Sequence, residues 1–490
     1  MTRFSTRSVG ILFALSLAIP ASLVGCSSGD DDDDAATGGT SGTGSTPAAS
    51  IADCHQCMKS ADCMSGFCNR ANAELGFCTK VDELDCKLDE TRTVRGLSGK
   101  ALELTGNVPT PPAPGAPVTI AADDPNILYS GRIDFTDPTA PRYSSGGVHV
   151  KARFEGTSVV VNFKDQFRYG KRNYYDAVID EDEVADDGSS LAFSIKIAPS
   201  DATRYEVISG LPKGEHSITF VKRSEANVGY TDFLGFEFDG PILEPGPKPA
   251  RKIEIIGDSI SAGSGDDLPL HKGQNPDETY CKEDDWGVPY HDAYLTFGAF
   301  AARALDAEYH VTAVSGIGVT RDYSSNTSYD LRTMPEVYDK LYLEQTDSPD
   351  WDTSKYVPDA VVIALGTNDF SPGDNSPDMP REQMTVEKFV PPYEDFIDEL
   401  MGYYPDAEIF LLSSPMLSDT WPDPSFMYKS SLEDAIAQIE ADYADKGGKV
   451  HALNVLDTPG KGCGTHPSAS EHQQIAEQNL IPALQAVMGW

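Results

Sequence analysis

Residues 252–490 alternate between short apolar runs and amphipathic stretches, and this pattern constrains the fold more than any other feature of the chain. The apolar runs predict strands at residues 253–256, 309–314, 360–365 and 409–412. The amphipathic stretches predict helices at residues 293–305, 392–401, 432–445 and 470–487. Apolar strands separated by helices form a parallel sheet that is covered on both faces. The sequence therefore predicts an α/β domain over residues 250–490.

A different pattern occupies residues 125–240, where short alternating runs are separated by Gly, Asp, Asn and Pro. These runs predict antiparallel strands at residues 148–154, 158–163, 174–179, 205–208 and 216–221. Short strands at hairpin spacing are typical of a β-sandwich, which we expect over residues 120–246. Pro245, Pro247 and Pro249 then form a stiff linker to the α/β domain.

The N-terminus resembles an export signal, because Arg3 and Arg7 precede an apolar run over residues 9–24. The run ends in Leu-Val-Gly-Cys, which resembles the lipobox of bacterial lipoproteins and predicts lipid attachment at Cys26. The alternative is an ordinary signal peptide with a chance cysteine. We expect residues 1–25 to be a lipoprotein signal peptide and residues 26–52 a disordered acidic tether. The expected location is extracytoplasmic, at the cell surface or in the periplasm, with the lipid holding the protein to a membrane.

The other cysteines indicate disulfides, because exported proteins fold in oxidising compartments. Six of the nine cysteines lie within residues 54–86 and predict a small disulfide-rich module over residues 53–90. Zinc is the competing interpretation of Cys54 and Cys57, but His55 is the one histidine near them, and an even count favours bridges. The pairing inside the module stays open. The last two cysteines, Cys281 and Cys463, are predicted to form one more bridge.

The excess of acidic side chains indicates which kinds of substrate or partner the protein can bind. With 38 basic and 77 acidic side chains, the formal net charge is -39, which excludes a protein held to nucleic acid by phosphate attraction. The same charge repels anionic polymers, so a neutral substrate is the natural expectation.

Ser259 stands at the turn where the first strand of the α/β domain leads toward a helix. The unpaired N–H groups of a helix N-terminus make such a turn a ligand site, and parallel sheets bind ligands at this edge. A serine in this position also serves as an ordinary helix cap. The chain lacks the GxSxG turn of α/β-hydrolases, which argues against that superfamily.

Three further segments place polar residues at the same edge of the sheet. Gly316 follows the strand at 309–314, Asn368 follows the strand at 360–365, and His466 lies near the C-terminus. Each alone has a structural interpretation as a turn or surface residue. In the order Ser, Gly, Asn, His they indicate an active site.

These four blocks resemble the SGNH (GDSL) hydrolase superfamily, and the longer stretch resembles carbohydrate esterase family 2. The matching segments of the α/β domain include IEIIGDSISAGSG at 253–265, VSGIGVTRD at 314–322, PDAVVIALGTNDFS at 358–371 and GCGTHPS at 462–468. The segments before it include GRIDF at 131–135 and VKRSEA at 221–226. The resemblance implies a jelly-roll-like β-sandwich followed by a flavodoxin-like SGNH hydrolase domain.

The resemblance also implies a chemistry. Ser259 would attack an ester carbonyl, and His466 would take its proton and return it to the departing sugar hydroxyl. The oxyanion donors would be the backbone N–H groups of Ser259 and Gly316 and the side-chain amide of Asn368, with Gly318 a less suitable substitute for Gly316. The expected activity is removal of O-acetyl groups from polysaccharide of acetyl-xylan or acetyl-glucomannan type, without metal or cofactor. The alternatives are a weakly active or inactive carbohydrate-binding surface protein, and a lipid or acyl-thioester hydrolase of the superfamily.

One position departs from the family pattern. SGNH enzymes commonly carry an Asp two or three residues before the His, but Gly464 and Cys463 stand there. We expect a Ser-His dyad in which a backbone carbonyl, of Thr465 or a neighbour, orients the imidazole. The alternative is a distant carboxylate such as Asp457. The predicted 281–463 bridge would stiffen the histidine loop.

Several nearby residues have two interpretations. Asp258 and Asp369 are expected to hold loops through backbone hydrogen bonds. Trp421 is interpreted either as a platform for a sugar ring or as a packing residue, and Trp286 is a weaker candidate. His472 is expected on the exposed first turn of the last helix.

Overall fold

The computed structural model describes residues 115–181, 193–267, 288–323, 332–345, 347–373, 381–421 and 423–490, together with five short strands between residues 56 and 95. Those five are β1 (Gln56–Cys57), β2 (Cys68–Arg70), β3 (Gly76–Cys78), β4 (Cys86–Lys87) and β5 (Arg92–Arg95). The first three form an antiparallel sheet in the order β1-β3-β2. The predicted signal peptide, the tether and Cys26 lie outside the described residues. The six-cysteine pairing stays a prediction.

The β-sandwich is built from antiparallel strands, as predicted. They are β6 (Val118–Ala121), β7 (Leu128–Ser130), β8 (Arg142–Tyr143), β9 (His149–Phe167), β10 (Tyr175–Ile179), β11 (Phe193–Ile197), β12 (Arg204–Lys222), β13 (Gly229–Phe238) and β14 (Ile242–Leu243). The main path runs β4-β5-β11-β10-β12-β9-β13-β6. Alternate residues of these strands meet in one core that contains Phe154, Phe163, Tyr175, Phe220 and Phe233, each fully buried.

Two pairs of predicted strands are single long strands, which corrects the sequence analysis. The runs at 148–154 and 158–163 belong to the 19-residue β9, and those at 205–208 and 216–221 belong to the 19-residue β12. β9 and β12 pair along their length, with register shifts between Glu206 and Ile208 and between Ser209 and Gly214. Such bulges bend a strand without ending it. The polar residues that looked like turns are these irregularities.

The α/β domain has a five-stranded parallel sheet in the order β16-β15-β17-β18-β19. Its strands are β15 (Arg251–Gly257), β16 (Ala307–Ala313), β17 (Ala360–Ala364), β18 (Glu408–Leu412) and β19 (Val450–Leu453). This is the flavodoxin-like order. Val361 and Ile363 face one apolar core, whereas Ala360 and Val362 face the other. Both faces of the sheet are therefore covered, as the continuous apolar runs predicted.

The helices of this domain flank the sheet. They are α1 (Ser259–Ala262), α2 (Phe297–Ala304), α3 (Met334–Val337), α4 (Thr367–Phe370), α5 (Val386–Tyr403), α6 (Tyr428–Ala444), α7 (Ala469–Ile475) and α8 (Ile481–Met488). A π-helical stretch, Ala476–Leu480, joins the last two into nearly one helix. None of the helices in the described part of the chain is long and apolar enough to cross a bilayer.

Several predicted boundaries and one predicted environment differ from the structure. The α5 helix begins at Val386, not at 392, because the buried side chains of Phe389 and Val390 stabilise its first turns. Pro391 and Pro392 lie inside it, although each lacks a backbone donor. The strand β19 was missed, since it is short and three of its four residues are only half-buried. His472 is 1% exposed, and its Nδ1 accepts the N–H of Phe297 at 3.3 Å. The expectation of an exposed His472 was wrong.

Buried ion pairs join the two domains. Arg223, of the sandwich, is fully buried and donates to Asp267 and to the carbonyl of His291, the latter at 3.0 Å. Arg132, also of the sandwich, donates to Glu254 Oε1 of β15 at 3.2 Å. Removing one partner of a buried pair leaves an uncompensated charge, so these contacts hold the two domains in one arrangement. A side chain of the sandwich can therefore keep a fixed contact with a residue of the α/β domain.

Candidate active site

Ser259 is placed by the end of β15 and the short helix α1. Asp258 is the N-cap of this helix, and its Oδ1 accepts the N–H of Ile260 at 2.9 Å. The N–H of Ser259, in the first helical position, is one of the groups that a helix leaves without an internal partner. The nucleophile candidate therefore presents both a hydroxyl and an available backbone donor at the carboxyl edge of the sheet.

His466 meets Ser259 across 207 residues of chain, with Nε2 2.9 Å from the serine Oγ. Nδ1 lies 3.0 Å from the carbonyl oxygen of Cys463. A carbonyl can only accept, so Nδ1 carries the proton and Nε2 is the acceptor for the serine hydroxyl. This is the tautomer that a general base needs.

The group that orients His466 is a backbone carbonyl, as expected, but it belongs to Cys463 rather than to Thr465. Gly464 and Thr465 have φ angles of 62° and 63°, and this left-handed turn points the imidazole back at the carbonyl three residues earlier. Asp457, the alternative, pairs with Lys429 instead. The histidine is thus held by the turn of its own loop.

Asn368 lies at the start of α4, directly after the turn that ends β17. Its Nδ2 donates to the carbonyl of Ile317 at 2.8 Å and approaches Oδ2 of Asp258 at 3.3 Å. These two contacts place the amide between the Ser259 turn and the loop that carries Gly316. The predicted oxyanion donors therefore come from three adjacent segments.

Asp369 fixes the loop that follows β16, as predicted. Its carboxylate accepts the N–H groups of Val319 and Thr320 at 3.0 and 2.7 Å. A Cβ on Gly318 would lie 2.4 Å from the Asp369 carboxylate, so Gly318 is needed for this close packing. Gly316 instead has a φ of +81°, which a residue with a side chain rarely adopts. The two glycines are therefore needed for different reasons, Gly318 for close packing and Gly316 for its backbone conformation.

The surroundings shift the ionisation of the site. Burial lowers the pKa of His466 below its ordinary value, so the imidazole is neutral at pH 7. Burial raises the pKa of Asp258 to about 7, against the hydrogen bond from Ile260. Burial also raises the pKa of Asp369 against its hydrogen bonds to Thr320. A neutral imidazole beside a serine hydroxyl is the protonation state that nucleophilic catalysis requires.

For some of the other predicted residues, the structure describes the residue but not its partner, or does not describe the residue. Cys463 is disulfide-bonded, but Cys281 lies outside the described residues, as does Trp286, so the 281–463 pairing stays a prediction. Trp421 follows β18 and is 66% exposed, which excludes core packing. Within the described residues, no cluster of three or more His, Cys, Asp or Glu side chains could hold a metal ion.

One contact to the site, from the β-sandwich, was not predicted from the sequence. Glu225, of the β-sandwich, accepts the N–H of Ser315 at 2.7 Å, immediately before Gly316. A contact between domains leaves no local pattern in a sequence. Its one signal was the segment VKRSEA at 221–226, which matched the family although no site was predicted in that domain.

Comparison with known proteins agrees with this geometry. Residues 129–247 match the family model "Carbohydrate esterase 2 N-terminal", and residues 255–474 match "GDSL-like Lipase/Acylhydrolase family". The chain is 33% identical over 375 residues to the cellulase/esterase CelE of Acetivibrio thermocellus, covering 75% of this chain but only 40% of that protein. It is 26% identical to an acetylxylan esterase/glucomannan deacetylase of Cellvibrio japonicus, over 76% of this chain and 92% of the relative.

A solved structure extends the comparison to three dimensions. It is a family two carbohydrate esterase from Clostridium thermocellum in complex with cellohexaose, and it is 32% identical to this chain. The match has a TM-score of 0.60 and covers 74% of this chain and 99% of the other. The similarity thus includes the sandwich, the hydrolase domain and the order in which they follow one another. This chain belongs to carbohydrate esterase family 2.

Proposed function

We propose that this protein is a serine esterase that removes O-acetyl groups from polysaccharide of acetyl-xylan or acetyl-glucomannan type. The observation that carries the proposal is the 2.9 Å contact between Ser259 Oγ and His466 Nε2, with Nδ1 held by the Cys463 carbonyl. The relatives named acetylxylan esterase/glucomannan deacetylase support the substrate class.

The first half of the reaction forms an acetyl-serine. His466 Nε2 takes the hydroxyl proton of Ser259 while Oγ attacks the acetyl carbonyl carbon. The negative oxygen of the tetrahedral intermediate accepts from the N–H groups of Ser259 and Gly316, and from the Asn368 amide N–H that leaves its long 3.3 Å contact with Asp258 Oδ2. When the bond to the sugar oxygen breaks, the imidazolium returns the proton to that oxygen, and the deacetylated sugar leaves.

The second half repeats these roles with water. His466 takes a proton from a water molecule, whose oxygen attacks the acetyl carbon, and the same donors hold the second oxyanion. Ser259 leaves with the proton from the imidazolium, and acetic acid is released. The protein supplies every group in this cycle, and the Cys463 carbonyl keeps His466 in the same orientation throughout.

Features around the site support a neutral sugar polymer. A chain with a formal net charge of -39 repels polyanions and anionic lipid surfaces. Trp421, on the loop after β18, exposes 66% of its surface on the catalytic side of the sheet, where an aromatic face can stack on a sugar ring. Two relatives from Cellvibrio japonicus are named acetylxylan esterase/glucomannan deacetylase, which fits this expectation.

A substrate profile tests the proposal. Purified protein is expected to release acetate from acetylated xylan and acetylated glucomannan, and to hydrolyse 4-nitrophenyl acetate faster than 4-nitrophenyl esters of eight or more carbons. A strong preference for the long acyl chains would indicate a lipid hydrolase instead. Binding to the glycans without any ester hydrolysis would indicate a carbohydrate-binding surface protein.

The proposal also includes the location of the enzyme. We infer that lipid on Cys26 anchors the protein on the outer side of a membrane, where polymeric substrates are accessible, because a lipobox-like LVGC segment ends the apolar run. Cells grown with a radioactive fatty acid should label the wild-type protein but not the Cys26→Ser variant. Equal recovery of both variants in the soluble fraction would contradict the anchor.

A further inference from the structure

Glu225 connects the β-sandwich to the catalytic loop of the other domain. It follows β12, precedes the short helix Ala226–Val228, and is 3% exposed. Its Oε2 accepts the N–H of Ser315 at 2.7 Å. The next N–H along the chain is that of Gly316, the predicted oxyanion donor. The hydrogen bond to Ser315 therefore fixes the backbone directly before that donor.

The same carboxylate acts on the catalytic imidazole through its charge. The negative charge of Glu225 raises the pKa of His466, whereas His291 lowers it. Oε1 of Glu225 lies 3.7 Å from Nδ1 of His291, so the carboxylate also offsets that second imidazole. This chain has no Asp two or three residues before His466. Both ring nitrogens of His466 contact other groups, so Glu225 acts on the imidazole through its charge alone.

The neighbouring groups keep Glu225 in place. Lys222, fully buried at the end of β12, donates through Nζ to the carbonyls of Ser224 and Glu225 at 2.6 and 3.0 Å. Burial raises the pKa of the Glu225 carboxyl, against the hydrogen bond from Ser315 and the charge of Lys222. Burial also lowers the pKa of Lys222 itself to about 7. His472 also acts on His466, but burial lowers its pKa to about 3, so it carries no charge in the working range.

We propose that Glu225 is a positioning residue for the esterase site, supplied by the β-sandwich. It holds the oxyanion loop at Ser315 and stabilises the imidazolium form of His466 in the transition state. The inference rests on the proposed function, and it gives the sandwich a direct part in the reaction.

Glu225→Gln and Glu308→Gln form a matched pair for the test. Glu308 is another buried carboxylate between the domains, accepting from Ser130 Oγ and Lys248 Nζ at 2.8 Å each, but it lies at the amino end of the sheet, away from the site. We expect Glu225→Gln to lower kcat on 4-nitrophenyl acetate about 10- to 100-fold, with KM nearly unchanged, because a charged hydrogen bond to the loop is lost. Glu308→Gln should leave kcat near the wild-type value.

The pH profile separates positioning from simple packing. Glu225 raises the pKa of His466, so removing its charge lowers that pKa, and the acid limb of kcat/KM should move to lower pH. Glu225→Asp keeps the charge on a shorter side chain and should retain the wild-type limb while recovering only part of kcat. It also replaces the Gln variant if that protein does not fold. The proposal would be overturned if Glu225→Gln kept the wild-type kcat and the wild-type acid limb of kcat/KM. A lower melting temperature as the one change would show a purely structural role.

A labelling experiment separates this inference from the proposed function. A fluorophosphonate reacts with an activated serine without any glycan, and its rate at Ser259 should show the same shift in pH between wild type and Glu225→Gln. If the two proteins are labelled with an identical pH dependence, the role of Glu225 is contradicted but the esterase proposal is not. Absence of labelling in the wild type would contradict the esterase proposal itself.

Discussion

Replacing Ser259 with alanine should lower kcat for acetyl ester hydrolysis by about five to six orders of magnitude, the loss that follows when a serine hydrolase loses its nucleophile. The reason is geometric: the Ser259 Oγ lies 2.9 Å from His466 Nε2, so the base is within reach of this hydroxyl. Without it, water is left to react beside an intact oxyanion site, which leaves only a small residual rate. Initial rates of acetate release measure the effect.

Ser261→Ala is the matched control for that variant. Ser261 lies in the same helix, α1, and its buried hydroxyl makes no hydrogen bond within the described residues. Losing it should change kcat only a few-fold. The assays must first be shown to be free of contaminating esterase. If Ser259→Ala then keeps more than about a hundredth of wild-type activity, Ser259 is not the nucleophile.

Replacing His466 with alanine should cause a loss of similar size, because the serine hydroxyl then has no base. The two losses should not add, since nucleophile and base act as a unit: the double variant Ser259→Ala/His466→Ala should be no slower than either single one. Added imidazole should restore part of the activity to His466→Ala but none to Ser259→Ala. Additive losses in the double variant would contradict a dyad.

The pH dependence follows from the same histidine. The imidazole must be neutral to act as a base, so kcat/KM rises with pH through the pKa of His466. Burial lowers this pKa from its ordinary value of 6.5, so the midpoint of the acid limb should lie below pH 6.5. Asp258, with a pKa of about 7, titrates nearby, and Asp258→Asn removes that titration while keeping an acceptor for Ile260. If the acid limb keeps its midpoint in Asp258→Asn, it is not the titration of Asp258; if the limb disappears, it is.

The sequence predicted the site well where local patterns determine structure. An apolar strand followed by Gly257 and Asp258 placed Ser259 at the carboxyl edge of the sheet, and the same argument placed Gly316 and Asn368. Parallel strands bring their carboxyl ends together regardless of their separation in sequence, which is why such distant residues could be assigned to one edge.

Features that depend on tertiary contacts could not be read in this way. The carbonyl that orients His466 belongs to Cys463, because the left-handed turn at Gly464 and Thr465 reverses the chain, and backbone φ angles are not visible in a sequence. His472 reads as exposed because histidine near a helix start usually is, yet Phe297 packs against its ring. Glu225 reaches the site from another domain. For His472 and Glu225 the partner comes from elsewhere in the fold, whereas for His466 it comes from a backbone turn of its own loop.

The most direct measurement of the whole account is identification of the acyl-enzyme. Wild-type protein mixed with an isotopically labelled acetyl ester, quenched with acid within one turnover and digested, should carry one labelled acetyl group, on Ser259, that appears and decays at rates compatible with kcat. His466→Ala should form none in that time. Turnover without an acetyl group on Ser259, or with the label on another serine such as Ser264 or Ser315, would contradict the mechanism.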